Sequence, residues 1–108
     1  MNRDIRYKPK FADPEEFQYV GPFIACIRRE LEITQAQVSE ATGFSIQSIS
    51  RFENGKTSPT TVMGATVIDY VLGQLQPEHS VEDVITMFDE FCLNWYQGKE
   101  FSGSITDS

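Results

Sequence analysis

The sequence predicts an all-α fold of five helices. Three observations predict it: apolar residues recur at helical spacing in successive stretches, capping residues precede these stretches with glycine or proline behind them, and nowhere does the two-residue alternation of a half-buried strand appear. The chain has 108 residues, enough for one small domain with tails. Hydrophobic residues make up 40% and charged residues 23%, a globular balance.

The elements follow in order. Residues 1–12 carry Arg3, Arg6, Lys8 and Lys10 without an apolar period and read as an extended basic arm. Asp13-Pro14-Glu15-Glu16 is a helix-start signal, with a cap, a proline in the first turn and acids at the positive end of the dipole; it opens a short turn through Tyr19. Gly21-Pro22 resets the chain, and Pro22 starts a helix to about Glu32 that buries Phe23, Ile24, Ile27 and Leu31. Thr34, with Gln37 three residues later, forms a capping box for a second helix whose inner face is Val38, Ala41 and Thr42. Gly43 suits the left-handed position that ends it. Ser45 caps a third helix with Ile49 and Phe52 inward, and Gly55 closes it. Ser58-Pro59 starts a fourth, with Val62, Ala65, Thr66, Ile68, Val71, Leu72 and Leu75 as its apolar residues, and Pro77 breaks it. Ser80 and Asp83 start a fifth, along which Val81, Val84, Ile85, Phe88, Cys92, Trp95 and Tyr96 recur until Gly98. Residues 99–108 are polar and expected to be disordered.

Several classes of function fall away. No apolar run approaches the roughly 20 residues that span a bilayer, and the N-terminal MNRDIRYKPK lacks the apolar stretch of a signal peptide, so a cytoplasmic protein is expected. Cys26 and Cys92 lie far apart and His79 is the single histidine, whereas a zinc site needs about four such ligands at close spacing. No metal and no cofactor is expected, and the cysteines read as small buried hydrophobes. With no nucleophile–histidine–acid set and no phosphate-cradling glycine loop, the chain does not read as an enzyme.

What remains is the stretch from Thr34 to Pro59: two short helices joined at Gly43, the second leaving Ser45, Gln47, Ser48 and Arg51 outward. That is how a chain presents a helix to a DNA groove, where Gln pairs bidentately with adenine and Arg with guanine. The formal charge of -7 has the wrong sign for a polyanion. Nearly all the excess is local, however: residues 76–108 set Lys99 against Glu78, Glu82, Asp83, Asp89, Glu90, Glu100 and Asp107, while residues 20–75 are close to neutral. Charges beyond a Debye length of about 8 Å at physiological salt are largely screened.

The series Ile27-Arg28, Thr34-Gln35, Ser39-Glu40-Ala41-Thr42-Gly43, Ser48-Ile49-Ser50-Arg51 and Glu53-Asn54-Gly55-Lys56 resembles the lambda-repressor-like helix-turn-helix domain of the Xre/Cro family of regulators. The resemblance covers about half the chain, residues 20–75. It implies that Ser45, Ile46, Gln47 and Arg51 face base edges, and that Gln35, Ser48, Asn54 and Lys56 lie along the DNA backbone, with Arg28, Arg29 and the arm adding cations. It further implies an ion pair between Arg28 and Glu53, which fits the cost of an unneutralised acid beside DNA. Ile46 stands where the family is often polar, and either reaches a thymine methyl or packs partly buried. Ser39 stands where alanine is common.

The resulting division is an arm and short turn at 1–19, the helix-turn-helix domain at 20–75, a C-terminal helix at 76–98 and a tail at 99–108. The expected function is sequence-specific double-stranded DNA binding by a transcriptional regulator, a repressor on a pseudo-palindromic operator, with no membrane and no identified small-molecule effector. Such a site needs a dimer, and Phe88, Cys92, Trp95 and Tyr96 are the expected homodimer stripe. The alternative is a protein-interaction module, antitoxin-like or an anti-repressor partner, whose acidic last helix docks a basic protein.

Overall fold

The computed structural model describes residues 11–75 and 81–96, with Val81, Trp95 and Tyr96 described by their backbone only. Five α-helices follow in chain order: α1 (Phe17–Glu30), α2 (Gln35–Thr42), α3 (Ile46–Glu53), α4 (Val62–Leu72) and α5 (Val81–Tyr96). No strand occurs among the described residues, and no helix there is long and apolar enough to cross a membrane. The basic side chains of the arm, Pro77, the Ser80 cap, Gly98 and the tail lie outside the described residues.

The signals for α2 and α3 hold in detail. Thr34 Oγ1 accepts the Gln37 N–H at 3.0 Å, and Gln37 Oε1 accepts the Thr34 N–H at 2.7 Å, so two donors at the α2 N-terminus are satisfied reciprocally. Gly43 takes φ +86°, a left-handed conformation open to glycine without a Cβ penalty. Ser45 caps α3, and Ile49, Phe52 and Val38 are fully buried between the two helices and their support. Ala41, expected inward, is exposed, so Val38 alone anchors the α2 face fully.

The first helix departs from expectation. The chain does not reset at Gly21-Pro22; a 3-10 turn at Pro14–Glu16 runs directly into α1, which continues through both residues. The pair is a docking site, not a break. A Cβ on Gly21 would lie 1.8 Å from the Phe52 carbonyl oxygen, so the end of α3 sits against bare α1 backbone. Pro22 has no N–H to offer the Gln18 carbonyl one turn earlier, and Gly55 packs over that carbonyl so closely that a Cβ there would be 3.0 Å away. At its other end α1 stops at Glu30, with Glu32 at φ +61°. The Ile33 N–H bonds the Arg28 carbonyl at 3.0 Å and the Glu32 N–H the Arg29 carbonyl at 2.9 Å, which is the Schellman pattern with a non-glycine residue in the left-handed position.

Two further boundaries move. Thr61, not Ser58-Pro59, caps α4: its Oγ1 accepts the Gly64 N–H at 3.0 Å, while the Ser58 carbonyl accepts the Thr61 hydroxyl at 2.9 Å. Val62 is consequently exposed, and the buried stripe is Gly64, Val67, Ile68 and Val71. At the N-terminus, the last two residues of the expected arm belong to the core. Ala12 is buried, and the Phe11 ring meets Phe88 and Phe23 edge-on at centroid distances of 5.2 and 6.1 Å.

That aromatic cluster fixes α5. Phe23 and Phe88 are 5.1 Å apart, Phe23 and Phe91 5.6 Å, and both α5 phenylalanines are fully buried. Such pairs add about 0.5–1.5 kcal/mol beyond the area they bury. Phe88 and Cys92, expected on a dimer stripe, are therefore inside the chain's own core, because α1 alone leaves Phe23 uncovered. The side chains of Trp95 and Tyr96 lie outside the described residues. Both cysteines are free and buried. Burial pushes the Cys92 thiol up to about 12 and raises that of Cys26, against the opposing pull of the Arg29 guanidinium 3.9 Å away.

Two outcomes follow from this packing. Gly21→Ala places its methyl on the Phe52 carbonyl and should cost about 1–3 kcal/mol or more, seen as a lowered thermal midpoint by circular dichroism. For Cys92, the folded thiol keeps its proton where an unfolded thiol, near 9.0, loses it. The folded state then binds more protons, so stability falls as pH rises from about 9 towards 12. Urea midpoints measured across that window should fall less steeply in Cys92→Ala than in the wild type.

Candidate nucleic-acid interface

A helix can read DNA only if its angle to the body is fixed, and here one buried ion pair fixes it. Arg28 on α1 meets Glu53, the last residue of α3, in a bidentate contact: Nε donates to Oε2 at 2.7 Å and Nη2 to Oε1 at 3.1 Å. Nη1 donates to the Ile33 carbonyl in the α1–α2 loop at 2.7 Å, and Gln35 Nε2 at the start of α2 donates to Glu53 Oε1 at 2.8 Å. The side chains of Arg28 and Glu53 are 10% and 6% exposed, so the two contacts between them are shielded from water, while those to Ile33 and Gln35 are part-buried. Paired and fully hydrogen-bonded, the two charges tolerate that burial.

The ion pair is thus where the resemblance puts it, but two expected DNA contacts are engaged inside it. Arg28 has no exposed guanidinium for a phosphate, because its donors go to Glu53 and Ile33. Gln35 donates to Glu53 and, being half-buried, keeps one further amide proton.

The outward face of α3 carries Gln47, Arg51 and Asn54, which at about 100° per residue fall on one stripe opposite Ile49 and Phe52. Gln47 and Arg51 are exposed. Asn54 is exposed too, but its Nδ2 folds back onto the Ser50 carbonyl at 2.9 Å. Ser45 Oγ accepts the Ser48 N–H at 3.1 Å and donates to Ser48 Oγ at 3.0 Å. The cap is spent internally, and the outward hydroxyl proton passes to half-buried Ser48. Ile46, in the first turn, is 45% exposed and flanks the stripe. Lys56 is exposed just past the helix, and its backbone N–H closes α3 on the Arg51 carbonyl at 2.9 Å. Arg29 is exposed at the end of α1, beside Cys26.

Sequence reasoning missed the residues that hold the turn. Ser39 Oγ donates to the Phe44 carbonyl at 2.6 Å, tying α2 to the link before α3, and Phe44 itself packs on the core. A serine where alanine is common was the visible signal.

This arrangement defines the class: a DNA-binding helix-turn-helix module on an all-helical support. The sequence profile of the helix-turn-helix family matches residues 26–63, from the middle of α1 to the start of α4. The match covers about a third of the chain and supports a lambda-repressor-like, Xre/Cro-type helix-turn-helix there, the DNA-binding module of regulators. No curated protein and no solved structure matches it.

Removing half of the buried pair tests its role. Glu53→Ala strands the Arg28 charge and should destabilise by about 3–5 kcal/mol, whereas a double change to Arg28→Met and Glu53→Leu should cost far less. Chemical denaturation of the three proteins checks the order.

Proposed function

We infer that the chain binds double-stranded DNA sequence-specifically and represses transcription, reading the major groove with α3. The single observation that carries this reading is the exposed Gln47–Arg51 stripe on a helix whose far end is locked by Arg28 and Glu53. Gln47 supplies a bidentate amide for adenine and Arg51 a bidentate guanidinium for guanine. Ile46 offers an exposed apolar contact for a thymine methyl, the apolar group on a major-groove base edge. Ser48, Lys56 and the second amide proton of Gln35 face the phosphates, and the N-terminal turn of α2 adds backbone N–H groups.

One eight-residue helix covers a single half-site, so the reading includes a homodimer on a pseudo-palindromic operator, with half-sites about 34–36 Å apart. A module of this size represses by occupying its site where that site overlaps a promoter.

The test is a binding selection from randomised duplexes followed by fluorescence anisotropy at several salt concentrations. Arg51→Ala should lose about 1–3 kcal/mol on the selected site and little on random DNA. Lys56→Ala should weaken both and flatten the salt slope by about 0.9. Equal losses on selected and random DNA for Arg51→Ala would remove Arg51 from base readout, and failure to enrich any duplex would overturn the reading as a whole.

A further inference from the structure

The geometry points to a second binding surface: the groove between α1 and α5 is a docking site for a partner peptide that presents large apolar side chains flanked by lysine or arginine. The groove encloses about 370 Å³, within the roughly 300–1,000 Å³ of ligand sites. Its apolar lining is Phe23 and Ile27 of α1, Leu31 just past the end of α1, Leu75 after α4 and Met87 of α5. Leu31, Leu75 and Met87 are half-buried, so packing among the described residues leaves apolar surface on three sides of one depression. Met87 gives that wall an adaptable side chain suited to more than one apolar insert.

The charge around the groove selects the occupant. Glu30 and Glu90, both exposed, line it from opposite helices, Arg29 lies 3.9 Å from the lining Cys26, and Glu82 and Asp89 add two more exposed acids on α5. A second copy bringing the same face would oppose acid to acid. A basic amphipathic segment would place its apolar face on that lining and its cations against the two glutamates, the helix-in-groove mode of recognition.

Position separates this surface from the DNA face. Gly21 and Arg28 mark the side of α1 that meets α3. At about 100° per residue, Glu30 points half a turn away from Gly21. The groove and the reading helix lie on opposite sides of α1, so a partner and a DNA duplex fit the chain at once, and the groove does not depend on the operator reading.

The experiment is a phage-displayed random-peptide selection on the full chain, with a counter-selection on Glu30→Lys/Glu90→Lys, two exposed positions that leave the core intact. Enriched peptides should pair apolar residues at helical spacing with lysine or arginine. Their amide chemical-shift footprint should fall on α1 and α5 with α3 silent. Affinity should drop about tenfold or more in the double variant, while DNA binding of that variant stays at least as strong as wild type. Peptides that bind both proteins equally, apolar peptides without cations, or a footprint on α3 would overturn the proposal. So would a wild-type dimer in sedimentation that the double variant abolishes, since a second copy would then be the occupant. Selection that enriches nothing would also end it.

Discussion

Everything that makes α3 a readable helix passes through the contact between Arg28 and Glu53. One guanidinium spans three structural elements: it holds the end of α3, the α1–α2 loop carbonyl and, through Glu53, the first residue of α2. A flexible ammonium could not do this, because the planar fork of arginine presents its donors in fixed directions that match a carboxylate and a nearby carbonyl together. The arrangement also disposes of an acid beside the DNA-facing surface, where an uncompensated carboxylate would repel phosphates. Buried charge pairs often contribute little net stability against an apolar alternative, so the value of this one lies in angle more than in free energy.

Around that lock the backbone itself provides the second constraint. Helix α3 sits against α1 with no side chain between Gly21 and the Phe52 carbonyl, and Gly55 covers the Gln18 carbonyl that Pro22 cannot serve. Close approach of this kind leaves α3 little freedom to tilt, since interiors at crystal-like density transmit rather than absorb displacement. The turn on the other side is pinned by Ser39 on the Phe44 carbonyl.

The acidic balance of the chain takes its meaning from where those charges lie. Helix α5 is bound to the core by Phe88 and Phe91 and turns Glu82, Asp89 and Glu90 outward, on the side of α1 that faces away from α3. With few cations on the outward face of α3, the proposed DNA contacts would rest on helix N-termini and on amide and guanidinium groups more than on bulk charge.

The sequence by itself determined the helical class, the α2–turn–α3 unit and its caps, because Thr34, Gln37, Gly43, Ser45 and Gly55 act within a few residues of themselves. It also placed Gln47 and Arg51 outward on α3, since helical periodicity fixes faces, whereas Ser48, placed with them, is half-buried. Tertiary structure decided what local signals could not. Gly21-Pro22 has the chemistry of a break and becomes a docking site only because the end of α3 arrives there. Phe11 looks like the end of a polar arm until Phe23 and Phe88 close on it. Gln35 is a DNA-backbone contact by resemblance, yet Glu53 from another helix claims it. Phe88 and Cys92 read as an unpartnered stripe, and α1 turns out to be the partner. In each case the deciding atom is distant in sequence, and periodicity carries no record of which helix a face will meet.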